Sequence, residues 1–130
     1  MMRMRPANLA PHPTTPCAAV RSLTVEIGHR GALRLRYRIR GTIDGLLFSA
    51  ARDRRGHGPL PHDSPAARRD GLWRHTCCEA FLADEAGPGY REYNFAPSGE
   101  WAAWRFDDYR AGMREELCAA PRIVVHSSVD

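Results

Sequence analysis

Seven residues between positions 73 and 105 carry side chains suited to gripping a small polar molecule: Trp73, His75, Glu79, Glu92, Asn94, Trp101 and Arg105. Indole faces cover the apolar C–H surface of a pyranose ring. Carboxylates, an amide and a guanidinium hydrogen-bond to its hydroxyls. Apolar walls with a few placed polar groups are the usual make-up of a small-molecule site. Successive side chains of a strand point to opposite faces, so parity sorts the candidates. Trp73, His75, Cys77, Glu79 and Phe81 fall on one face, against Thr76, Cys78, Ala80 and Leu82. Glu92 and Asn94 oppose Tyr93 and Phe95. Trp101, Ala103 and Arg105 oppose Ala102, Trp104 and Phe106. Assigning the apolar sets to the core leaves the seven candidates on one outer face. The competing reading is an outer face that binds nothing, with Glu92 and Arg105 paired across strands for ~0.2–1 kcal/mol.

Other chemistries leave weaker traces. Haem needs axial ligands, for which His75 and Met113 are the candidates; no Cys-x-x-Cys-His motif is present. Cys77 and Cys78 are adjacent, so on a strand they point apart and chelate one zinc ion poorly. Cys17 and Cys118 are isolated. Glu79 and Glu92 could form a glycosidase-like carboxylate pair, but a chain of 130 residues leaves little for a deep cleft. Ser98 lies in Pro-Ser-Gly, a turn and not a nucleophile elbow. No glycine-rich phosphate loop occurs. The expectation is a binding module and not an enzyme, with no metal site.

The elements that must position these residues are short and extended. Leu23, Val25 and Ile27 alternate with polar residues from Val20 onward. Leu33, Leu35, Tyr37 and Ile39 alternate with Arg34, Arg36, Arg38 and Arg40. A strand with one wet face belongs to an antiparallel sheet. A further apolar stretch covers 43–48, and a polar Gly/Pro-rich loop covers 51–71. Extended segments are expected over 72–83, 90–96 and 101–106, a short helix over 107–118, and a strand from Ile123. Six or seven short strands with turns between them predict an all-β antiparallel sandwich. Residues 1–19, with four prolines, read as an irregular leader before a single domain over 20–130.

Charge is uneven. All 19 basic residues are arginine. Residues 1–75 hold 14 of them against 5 acids, and residues 76–130 hold 5 against 10 acids. The alternating arginines could meet an anion or a nucleic acid, although only Tyr37 and Phe48 stand among them for base stacking. Solvated charges on a strand face are the plainer reading, and nucleic acid is not the expected partner. No run of ~18 apolar residues predicts a membrane span. No apolar core follows the basic start, so a cytoplasmic chain with reduced thiols is expected.

Two longer motifs, Leu72-Trp73-Arg74-His75-Thr76-Cys77-Cys78-Glu79-Ala80-Phe81-Leu82 and Tyr90 through Phe106, resemble the bacterial DOMON-like domain proteins related to family-9 carbohydrate-binding modules, a group that includes members labelled UDP-N-acetylmuramate-dehydrogenase-like. His12-Pro13 and Tyr109 to Met113 fit the same pattern, and the resemblance covers roughly residues 9–125. It implies a β-sandwich that binds a small ligand, a sugar or haem. Cys78 stands where an aromatic is expected and Trp104 where Tyr is expected. Domains of that family continue with further strands, so a chain lacking its C-terminal strands, and less stable for it, is expected.

Overall fold

The computed structural model describes residues 3–42 and 68–126. Seven strands and a single 3₁₀ turn are present among them. They are β1 (Arg5–Asn8), β2 (Val20–Arg30), β3 (Ala32–Gly41), the 3₁₀ turn (Leu72–Arg74), β4 (Cys78–Ala83), β5 (Tyr90–Phe95), β6 (Trp101–Phe106) and β7 (Arg114–Glu115). All strand pairings are antiparallel, in one sheet ordered β1-β2-β3 and another ordered β4-β5-β6-β7. The all-β antiparallel architecture expected from the sequence is thus present, as two separate antiparallel sheets. Among the described residues no helix is long and apolar enough to cross a membrane.

The chain divides into two compact units, 1–46 and 47–130. In the first, β2 and β3 form a long hairpin closed at Gly31, whose φ of 74° is readily reached only without a side chain. The alternation read in β3 is obeyed. Arg34, Arg36, Arg38 and Arg40 are all exposed, while Leu35, Tyr37 and Ile39 are half-buried on the other face. Burial is shallower than expected at the hairpin tip, where Leu33 is 42% exposed. β1 pairs only with Thr24–Ile27, so it does not flank that tip. β1 itself lies in the stretch expected to be irregular. Its proline is tolerated because β1 is an edge strand.

In the second unit the core centres on Leu72, Ala96 and Ala102, with Cys77 and Trp104 packed against them. This explains a departure from the expected extended run over 72–83. Gly71, at φ 75°, opens the 3₁₀ turn, and the turn places Leu72 in the core at 1% exposure. Residues 107–118 form no helix: a tight turn links Asp108 to Ala111, and β7 then pairs with Trp104 and Arg105. Residues 123–125 join no sheet. The expected apolar stretch 43–48 and nearly all of the loop 51–71 lie outside the described residues.

Candidate functional site

Register decides which side chains meet on the second sheet. Glu79 pairs with Asn94 and Phe81 with Glu92. Asn94 pairs with Ala102, Glu92 with Trp104 and Tyr90 with Phe106. Glu79, Glu92, Asn94 and Trp104 therefore share one face. The opposite face carries Phe95 beside Trp101 and Arg91 beside Arg105.

The seven-residue face expected from the sequence is therefore split. Glu79, Glu92 and Asn94 do come together. Trp101 and Arg105 lie on the other face, because β6 pairs with β5 in the register that sets even-numbered residues beside even-numbered ones. Trp101 is 5% exposed, with the Arg68 guanidinium 5.2 Å from its ring centre. Arg105 donates two hydrogen bonds to Asp84, at 3.0 and 2.6 Å, and so closes the β4–β5 connection. Trp73 and His75 precede β4 and have no strand parity. Trp73 projects from the 3₁₀ turn, 52% exposed, and His75 is the half-buried residue that ends the turn.

Trp73 nevertheless returns to the site by another route. A cleft of about 320 Å³ is lined by Asp70, Gly71, Trp73, Arg74, Trp104 and Met113. The Arg74 guanidinium stacks 4.9 Å from the Trp73 ring centre. Trp104 belongs both to this cleft and to the carboxylate-bearing face. Its indole Nε1 is buried without a hydrogen-bond partner, as are Oδ1 and Nδ2 of Asn94, a residue with 0% exposure. Buried polar groups are nearly always paired, so such a concentration on one face is unusual.

The carboxylates are tuned by the same surroundings. Burial, with the nearby Glu92 charge adding to it, raises the Glu79 carboxyl above its ordinary 4.5. Burial also raises Glu92. The Asn94 amide draws it partly back, although no Asn94 side-chain atom reaches hydrogen-bond geometry. Cys77, weakly bonded to Glu79 at 3.9 Å, is pushed up to about 12 by burial and by that carboxylate. Cys78 is pushed to about 11. Neither is poised as a thiolate at neutral pH.

Among the described residues no three His, Cys, Asp or Glu side chains gather as a metal site requires. Of the two haem-ligand candidates, Met113 lines the cleft and His75 ends the 3₁₀ turn. Sequence reasoning missed the cleft's other walls, Asp70, Gly71, Arg74 and Trp104. It also missed Arg68, which contacts the Glu115 carboxylate at 3.0 Å and the Ala103 carbonyl at 2.7 Å along the β6 edge. Asp70-Gly71 as a turn before an apolar Leu72 was the available signal for the first group. Ser98 is the turn residue expected, bonded at 2.8 Å to the buried Glu100 carboxylate. Comparisons with protein-family models, curated proteins and solved structures find no match to this chain.

Proposed function

We propose that the second unit binds a small, non-acidic, hydroxyl-rich ligand of the carbohydrate class, without catalysis, at the face carrying Glu79, Glu92, Asn94 and Trp104. The observation that carries this reading is the unpartnered set of the Asn94 amide and the Trp104 indole N–H on one sheet face, with Trp104 also lining a cleft that Trp73 shares. A ligand hydroxyl both donates and accepts. Those are the two roles that an amide oxygen, an amide nitrogen and an indole N–H call for. The Trp73 and Trp104 rings offer apolar cover for ring C–H groups. Two carboxylates accept from further hydroxyls and select against acidic ligands by like-charge repulsion. The motif resemblance points to the same ligand class.

The experiment is calorimetric titration of the full chain with neutral monosaccharides, amino sugars and uronic acids. Neutral and amino sugars are expected to bind, and uronic acids to bind more weakly. Trp104→Phe and Asn94→Leu should lose affinity in folded protein, while Arg36→Gln in the other unit should not. Absence of binding at millimolar concentrations of every sugar would overturn the proposal.

A further inference from the structure

The first unit carries a surface that the sugar-binding reading does not use. On the wet face of the β2–β3 hairpin, Arg34, Arg36, Arg38 and Arg40 stand opposite Gly28, Glu26, Thr24 and Ser22. At ~3.4 Å rise per antiparallel strand residue, same-face neighbours lie ~6.8 Å apart, so the four guanidinium stems form a line ~20 Å long. Arg36 is matched by Glu26 at 3.1 Å, with the arginine side chain 57% exposed. Arg34, Arg38 and Arg40 are exposed and have no ion-pair partner among the described residues. Glu26 is the only acid among residues 1–42, against eight arginines.

We infer that this row is a docking surface for the sugar-phosphate backbone of a single-stranded nucleic acid. Three features favour that occupant. The charges run in one line at an interval of the same order as that between successive phosphates of an extended strand. Arginine presents a planar fork that meets a phosphate with two hydrogen bonds. Thr24 and Ser22 place hydroxyl donors beside Arg38 and Arg40, as phosphate contacts commonly use. A duplex would present two backbones to a surface holding one line of charge. Among the described residues of β2 and β3 no aromatic lies on this face, because Tyr37 is on the other one. Bases are therefore not stacked or read, and recognition is sequence-independent.

Binding of a labelled 15-nucleotide oligothymidylate to the full chain, followed by fluorescence anisotropy across a salt series, tests this. Three unpaired arginines predict a slope of log K against log salt of about −2, at roughly −0.7 for each phosphate neutralised on a single strand. Arg34→Gln, Arg38→Gln and Arg40→Gln should each weaken binding about fivefold at 0.1 M salt and remove about 0.7 from the slope. Arg36→Gln leaves the Glu26 carboxylate bare in the row and should weaken binding too. Glu26→Gln frees Arg36 and should tighten binding by up to about fivefold, steepening the slope toward about −3. That gain does not depend on a variant failing to fold. A salt-independent affinity, an unchanged triple arginine variant, or weaker binding in Glu26→Gln would overturn the inference. So would tighter binding of a duplex of the same length, or of polyglutamate, which would assign the row to duplex or to an acidic protein.

Discussion

Replacing Asn94 by leucine should stabilise the protein and remove its ligand affinity together. Asn94 is fully buried and neither of its side-chain polar atoms is bonded. An unsatisfied buried amide of this kind costs about 1–3 kcal/mol on the scale of protein mutations. Leucine is of similar size and faces Ala102, itself 0% exposed, across the ladder. The expected gain is therefore about 1–3 kcal/mol, or several degrees in Tm for a unit of this size. Urea unfolding followed by tryptophan emission is the assay. All three tryptophans lie within the second unit, so the signal reports that unit alone. A midpoint moved to higher urea with an unchanged slope is the expected result. A midpoint moved to lower urea would show that ordered water already satisfies the amide, and the reasoning behind the site would fall with it. Asn94→Asp supplies the contrast. It introduces a buried carboxylate beside Glu79 and Glu92 and should destabilise at neutral pH.

Three further outcomes are expected. Because Glu79 and Glu92 have raised pKa values in the fold, the native state binds more protons than the unfolded chain between the ordinary value of 4.5 and the raised ones. Their contribution to stability therefore falls as pH rises through that window. A Glu79→Gln, Glu92→Gln protein should lose this part of the pH dependence in denaturant titrations, and an identical pH profile would refute the assignment. Asp84→Asn breaks the two-pronged contact with Arg105, whose partners are mostly shielded from solvent at 29% and 21% side-chain exposure. It should cost about 1–3 kcal/mol by the same unfolding assay, and a loss below 0.5 kcal/mol would show the contact is immaterial. Iodoacetamide at pH 8, read by peptide mass spectrometry, should label the exposed Cys17 well before Cys77 and Cys78, whose thiols burial holds at about 12 and about 11; equal rates would contradict that burial.

The strands were legible where one face differs chemically from the other. From Leu33 to Arg40 of β3, apolar residues and arginines alternate, so both the strand and its wet face follow from the order of residues. β5 and β6 offer no such contrast. Tyr90 carries a ring at one parity of β5 and Tyr93 and Phe95 at the other, and Trp101 and Trp104 place indoles at both parities of β6. Relative facing then depends on the connection. The Ala96 N–H donates to Glu100 at 2.8 Å, and the five residues 96–100 bring Phe95 opposite Trp101. One residue more or fewer would have put Trp101 beside Asn94, as the sequence reading assumed. The 3₁₀ turn at Leu72 escaped notice for a different reason. Leu72 turns inward to meet Ala96 and Ala102, far along the chain, contacts that no local pattern displays. Glu79, Glu92 and Asn94 fall on one face as parity within each strand suggested, because β4 meets β5 with Glu79 opposite Asn94, a register that no residue pattern in either strand displays.

β3 ends its sheet, so among the described residues its outer backbone groups lack a ladder partner over ten residues. An open edge of that length invites a second chain to add on and continue the sheet. Two copies of β3 meeting edge to edge would bring arginines from both strands onto the same face, at the close separations of cross-strand neighbours, where like charges repel. The same row therefore limits self-assembly. Salt that screens it should promote association, and glutamine substitutions along it should lower the concentration at which the protein begins to aggregate.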